Sequence, residues 1–298
     1  MSSLEQTIAR AAALPCWTGQ PRVAPLEGGI TNVNLLVTDD AGKFVVRFGQ
    51  DIPEHGILRF NELAISQAAH DAGVSPGIHH SEPGILVLEF VESAALTEND
   101  LLDADTLVET TRLIRKVHMD VTQEARGPVL AFWVFHVLRD YAGFLTRTKS
   151  RHTGKLANLM TEAAKLEADV GPINLVLGHN DLLPANILRA PDRLWLIDWE
   201  YGGFNSPLFD LGGLATNCGL PPEAEHLMLE TYFGASPDPA LMRSYGAMKC
   251  ASLLRETMWS MVSEHTSDID FDYAAYTAEN LARYRRAFSE FYSQRGTR

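Results

Sequence analysis

What this chain lacks narrows it quickly. No uninterrupted apolar run approaches the roughly 20 residues that a membrane helix needs. The stretch from Met1 to Ala13 has neither a basic start nor a long apolar segment, so a secretory signal is not expected. Cysteine is scarce. Cys16, Cys218 and Cys250 lie far apart, fit no close metal-ligand spacing and, being three, cannot all pair. Reduced thiols in a cytoplasmic protein are the expectation. Basic residues are outnumbered, 25 Lys and Arg against 38 Asp and Glu, which gives a formal net charge of −13. That balance disfavours nucleic acid and anionic membranes as partners. Repeats and low-complexity segments are absent as well. What remains is 298 residues, 46% of them hydrophobic, enough for one or two packed domains.

Two textures follow one another along the chain. Val33–Val37 and Lys43–Phe48 are β-type runs joined by the turn Asp39-Asp40-Ala41-Gly42. Phe60 to Ala72 has helical spacing and ends at Gly73, and Gly84–Val91 reads as a buried strand. After Val91 the pattern turns helical: Asp103–His118, Val134–Leu145, Lys155–Ala168, Pro222–Phe233, Ala240–Ser263 and Asp272–Tyr292. These textures predict an α+β fold of two lobes, a small β-rich one in residues 1–91 and a larger helical one in residues 92–298. Ligand clefts favour such junctions.

The helical region is interrupted by the chain's most informative stretch, His179-Asn180-Asp181-Leu182-Leu183-Pro184-Ala185-Asn186. A short apolar strand, Leu194–Ile197, then leads to Asp198. In phosphoryl transfer the protein mainly positions groups and neutralises charge. A carboxylate beside the incoming hydroxyl accepts its proton, the role assigned to Asp181. An amide oxygen and a second carboxylate suit Mg²⁺, the role assigned to Asn186 and Asp198, with Glu200 as a further candidate ligand. An isolated Asp and Asn in a loop usually make a turn or a helix cap. Here the match is longer, H-x-D-x-x-x-x-N, then a strand, then Asp at the expected distance. His179 and Asp210 are expected to brace the loop. A buried acid among apolar residues needs such a partner.

The small lobe should then hold ATP. Leu26-Glu27-Gly28-Gly29-Ile30-Thr31-Asn32 precedes a strand, and its glycines permit close backbone approach to phosphates, with Gly29, Thr31 and Asn32 as candidate contacts. Arg47 stands on the next strand, where it can bind phosphate bidentately, and Glu62 on the following helix is placed to pair with it. Glu89 and Val91, after the buried strand, are the candidate hinge that meets adenine through backbone groups.

These residues carry a resemblance. Gly28-Gly29-Ile30-Thr31-Asn32, Val46-Arg47-Phe48, His179–Leu188, Ile197-Asp198-Trp199-Glu200-Tyr201 and Phe209-Asp210-Leu211 together look like the choline/ethanolamine kinase family. That family lies within the wider group of aminoglycoside-phosphotransferase-like kinases, and the resemblance implies a protein-kinase-like two-lobe fold, with residues 1–91 as the nucleotide-binding lobe and residues 92–298 as the catalytic and substrate-binding lobe. The resemblance runs from about Leu26 to about Tyr284. It implies ATP- and Mg²⁺-dependent phosphorylation of the hydroxyl of a small amino alcohol, choline first. Direct transfer is implied, since no nucleophile is otherwise indicated. The family's frequent dimers leave a homodimer as an expectation.

By the same resemblance, Met258–Val262 and Ile269–Tyr276 match the choline-site region, where aromatic faces surround a quaternary ammonium. Trp259 and Tyr276 would form part of that cage. Two positions depart from the animal members: Glu256 stands where they have a second Trp, and Asn217 where they have an acid. Glu256 is therefore expected to supply the charge that Asn217 does not. Rival acceptors are ethanolamine, thiamine, a sugar or an aminoglycoside. A non-catalytic nucleotide-binding pseudokinase would lack a base or a metal ligand, yet Asp181, Asn186 and Asp198 are all present.

Overall fold

Alternation in the first segment builds a sheet. The structure, a computed structural model, describes residues 3–26, 32–267 and 269–293. Helix α1 (Ser3–Ala12) is followed by β1 (Arg22–Pro25), β2 (Val33–Thr38) and β3 (Lys43–Phe48). Then come α2 (Arg59–Asp71), β4 (Ile78–Glu82) and β5 (Ile85–Glu89). The five strands form an antiparallel sheet in the order β1-β2-β3-β5-β4. The side-chain period of two assigns its faces. Leu35, Val37, Phe44, Val46, Ile85 and Val87 point one way and close a small core with Ala11 and Leu14. Val45, Arg47 and Leu88, on the opposite parity, face the interlobe cleft. Register fixes this arrangement, with Asn34 opposite Arg47 and Val45 opposite Leu88.

Helix α2 stops where the sequence predicts. Gly73 adopts a left-handed φ of 67°, and its N–H returns to His70 O at 2.7 Å. Its buried face, Ile65, Ala68 and Ala69, joins the larger helical core rather than the core beneath the sheet.

Beyond β5 the next strand, β6 (Ala94–Ala95), pairs with β8 (Ile187–Arg189), which pairs with β9 (Leu194–Leu196). Helix α3 (Ala104–Lys116) runs into a π-helical turn at Val117–Val121 and then the short α4 (Thr122–Glu124). Helices α5 (Val134–Arg147) and α6 (Thr153–Val170) follow. Strand β7 (Val176–Gly178) pairs with β10 (Gly203–Asn205). These strands bracket the catalytic segment.

Helices α7 (Pro207–Cys218), α8 (Pro222–Phe233), α9 (Pro239–Thr266) and α10 (Tyr273–Ser293) complete the lobe. Helix α7 goes beyond the expectation. Its start has a plain local cause: Ser206 Oγ accepts from Leu208 N–H, and Pro207 occupies the first turn. Helix α9 is buried along most of its length, from Tyr245 to Ser263. No described helix is long and apolar enough to cross a membrane.

Several contacts tie the two lobes together, and a buried histidine makes one of them. His55, in a 3₁₀ turn at Pro53–His55, is buried against α5 and α9. Its ring nitrogens lie 3.3 Å from Tyr141 Oη and 3.1 Å from Ser263 Oγ, and its ring stacks on Trp259 at 5.1 Å. Burial, helped by the Arg255 charge, pushes its pKa down to about 3. The folded pKa thus lies below the unfolded value, so the unfolded chain binds the proton more readily. The neutral ring's contribution is complete above about pH 6.5 and is lost as pH falls towards 3. Urea unfolding should show His55 accounting for about 2 kcal/mol of stability lost between pH 7 and pH 5. In His55→Gln that share of the pH dependence should vanish. An identical pH dependence in both proteins would contradict the assignment.

Candidate active site

The catalytic loop is held by groups that cannot move independently. Asp210, on the first turn of α7, accepts from His179 N–H at 2.8 Å and from Asn180 N–H at 2.7 Å. His118 Nε2 donates to the same carboxylate at 2.9 Å, and the other ring nitrogen meets Tyr232 Oη at 2.7 Å. Burial opposes the Asp210 charge, but these bonds outweigh it and hold its carboxyl below the usual range. The π-helical turn is what brings His118 here.

His179 is buried, and burial keeps its pKa low and the ring neutral. Its Nε2 lies 2.8 Å from the Ile197 carbonyl, which only accepts, so Nε2 carries the proton and Nδ1 receives Asp181 N–H at 3.3 Å. Both bracing roles expected of His179 and Asp210 are thus explicit in the hydrogen bonds. Asn180 takes a left-handed φ of 64°. Its amide nitrogen spans to Tyr201 O at 2.9 Å and Gly203 O at 3.1 Å.

Asp181 lines the interlobe cleft with Asn186 and Asp198. Burial pushes the Asp181 carboxyl up to about 7, with the nearby Arg255 charge pulling the other way. Asn186 donates through Nδ2 to Asp181 O at 3.0 Å, which fixes the amide orientation and leaves its oxygen as the end a hard cation takes. Asp198 sits at φ 72°, a strained conformation for a non-glycine residue. Burial disfavours its charge, yet Arg47 at 2.8 Å outweighs that and holds the carboxyl below its usual range. The donors are all hard oxygens, with Glu62, Asp198 and Glu200 oxygens within 4.8 Å of one another, so the set suits a small divalent cation.

Arg47 reaches three acids rather than one. Its Nη2 lies 2.8 Å from Asp198, 3.2 Å from Glu200 and 3.4 Å from Glu62. The pairing with Glu62 is present, but Arg59 is the closer partner of that helix residue, at 2.6 Å. Arg59 also meets Glu200 at 2.6 Å, and Asn32 donates to the same Glu200 oxygen. Glu200 is therefore embedded among cations, and the metal reading leans on Asn186 and Asp198.

Two of the expected phosphate-loop contacts, Gly29 and Thr31, lie outside the described residues. At the candidate hinge, Glu89 N–H donates to Gly77 O and Phe90 N–H to Lys43 O, while Ser93 Oγ donates to Val91 O. Glu89, Phe90 and Val91 all border the cleft.

The candidate acceptor residues line the same cleft as Asp181. Trp259, half-buried, donates through Nε1 to Tyr201 Oη at 2.8 Å. Tyr276 O–H donates to Glu256 Oε1 at 2.8 Å. Asn217 donates to Leu182 O at 2.9 Å, turning its amide towards the catalytic loop. All four candidate substrate residues border one cleft of about 720 Å³, together with Asp181, Asn186 and Asp198.

Arg255 is the residue that sequence reasoning passed over. It stands one turn before Trp259 on α9, the i,i+4 position that shares a helix face, and that spacing was its signal. It is buried, with Nη1 3.7 Å from Asp181 and 3.1 Å from Glu256. Phe271 and Tyr273 also join this end of the cleft.

A five-stranded sheet over a helical lobe, with Asp181, Asn186 and Asp198 gathered near Arg47 in the cleft between, defines the kinase-like class of fold. Within that class the chain belongs to the choline/ethanolamine kinase family, whose model matches residues 23–219. It is similar to protein LicA of Haemophilus influenzae, 29% identical over 213 residues that make up 69% of this chain and 61% of that protein. The chain thus spans less than two thirds of that relative's length. It is also similar to a probable ethanolamine kinase of Arabidopsis thaliana, 26% identical over 297 residues, 89% of this chain and 79% of that protein. Among solved structures it resembles a choline/ethanolamine kinase family protein from Mesorhizobium loti, with a TM-score of 0.78, 26% identity and 97% of each chain covered.

Proposed function

We propose that the chain transfers the γ-phosphoryl group of ATP directly to the hydroxyl of a small amino alcohol of the choline/ethanolamine class. The observation that supports this reading is that Asp181, Asn186, Asp198, Trp259, Tyr276 and Glu256 all line one cleft, with Arg255 reaching both Asp181 and Glu256. A cleft of about 720 Å³ is within the range of small-molecule sites.

Asp181 orients the acceptor hydroxyl and takes its proton. Arg47, fixed by Asp198, Glu200 and Glu62, faces the phosphate end. Asn186 and Asp198 would hold Mg²⁺, which would supply neutralisation of charge on the phosphate oxygens. Backbone groups around Glu89 and Val91 receive the adenine. The free thiols Cys16, Cys218 and Cys250 fit a cytoplasmic setting.

Release of ADP, followed by a coupled assay across choline, ethanolamine, thiamine, several sugars and an aminoglycoside, checks the reading. Turnover should be confined to the amino alcohols. Turnover with a sugar or an aminoglycoside in their place would overturn it.

A further inference from the structure

The acceptor end already contains a cation. Arg255 is only 4% exposed, and its guanidinium carbon lies 4.3 Å from the centroid of the Tyr201 ring. A guanidinium at that distance occupies the π face itself. The same guanidinium reaches Glu256 Oε2 at 3.1 Å and Asp181 Oδ1 at 3.7 Å through Nη1. The second aromatic of the pocket is engaged too, because His55 stacks on Trp259 at an interplanar angle of 30°.

A quaternary ammonium and a primary ammonium ask different things of such a pocket. The quaternary ion has no N–H and depends on open aromatic faces and uncompensated negative charge. The primary ion depends on oxygen acceptors. Here the Tyr201 face is filled, and both acids have a built-in counter-charge. The carboxylates nevertheless keep acceptor capacity. Glu256 Oε1 receives Tyr276 O–H and Oε2 receives Arg255, whereas each carboxylate oxygen can accept about two hydrogen bonds.

We propose that Arg255 is a specificity-determining residue of the acceptor pocket, one that disfavours a quaternary ammonium and favours an acceptor whose ammonium donates hydrogen bonds. This deepens the amino-alcohol reading and rests on it for the identity of the site. Like charge explains part of the effect, since any cation two carbons from the reacting hydroxyl lies close to Arg255. The geometry explains the selectivity, since only the hydrogen-bonding ion gains compensating contacts with Asp181 and Glu256.

Calorimetric binding of tetramethylammonium and of ethylammonium to the full chain, with the non-reacting probes used in place of substrates, tests the inference. The wild-type protein should bind ethylammonium at least tenfold more tightly than tetramethylammonium. Arg255→Met should narrow that ratio at least tenfold, chiefly by tightening tetramethylammonium. Arg255→Gln, which keeps a hydrogen-bond donor for Glu256, should shift it the same way and serves if the Met variant does not fold. A wild-type protein that binds tetramethylammonium as tightly as ethylammonium would overturn the proposal, and so would a ratio unmoved by either substitution. Turnover of ethanolamine and choline is measured separately. If neither is phosphorylated while the binding ratio behaves as stated, the amino-alcohol reading fails and the role of Arg255 stands.

Discussion

Asp181→Asn should lower kcat by about 100- to 10,000-fold, the usual contribution of a positioned general base. The substitution keeps size and removes the charge. Asn180 and Asp210 still hold the loop backbone, and Asn186 bonds to the Asp181 carbonyl rather than to its side chain. Thermal unfolding and ATP affinity should therefore change little. The wild-type pH profile carries a second signature. Burial pushes the Asp181 carboxyl up to about 7, and only its deprotonated form accepts the hydroxyl proton. kcat/KM should accordingly fall by about tenfold per pH unit below 7 and level off above it. Asp181→Asn should lack that limb. A variant that keeps more than a tenth of wild-type turnover would show that another group is the base.

The second large effect is expected at Asp198. Asn is the appropriate replacement, because Asp198 sits at φ 72° and Asn tolerates the left-handed region better than most residues. Arg47 would retain Glu200 and Glu62 as partners, so the cluster should survive the loss of one acid. What is lost is a negative ligand for the divalent cation. Charge stabilisation by a bound metal is worth several kcal/mol, at about 1.4 kcal/mol per tenfold, so kcat/KM should fall on the order of a thousandfold. The Mg²⁺ concentration for half-maximal rate should rise, and Mn²⁺ binding in the presence of a non-hydrolysable nucleotide should weaken in parallel. An unchanged metal requirement would remove Asp198 from the metal site.

The phosphate end shows why charges are hard to read along a chain. Arg47 was legible as a cleft-facing cation, since a strand alternating with buried Val46 must place it on the opposite face. Its partners were less legible. Glu62 pairs with Arg47 at 3.4 Å, but Arg59 lies closer to Glu62, and both arginines converge on Glu200. Nothing local to residues 59–62 reveals Glu200, which arrives from the far side of the cleft. A stretch of apolar alternation predicts a face. It does not predict which of several acids will reach a buried guanidinium first.

The helical lobe repeats the point at the acceptor end. Most of its helices were legible from their apolar spacing and stop residues, and α8 spans Pro222–Phe233 as its pattern indicates. Helix α7 was not, because the catalytic motif leads into it and its apolar residues, Leu208, Phe209, Leu211 and Leu214, are buried without a polar stripe to mark a period. Trp259, Tyr276 and Glu256 could be nominated through a matched segment. Their hydrogen bonds to Tyr201 and to each other could not.

The order of residues was enough to nominate the reaction proposed above. Asp181, Asn186 and Asp198 lie in one short stretch, a loop followed by the antiparallel pair β8 and β9, and local backbone geometry brings such neighbours to one place. The lobes followed from the change of hydrophobic period near Val91 for the same reason, since periodicity is a local property. The balance of charge inside the site was a matter for the folded chain. Arg255, Tyr201 and Asp181 come from separate segments, as do Arg59 and Glu200. Whether a buried cation stands beside a base or over an aromatic ring depends on distances of a few ångströms, and packing sets those only when distant segments meet.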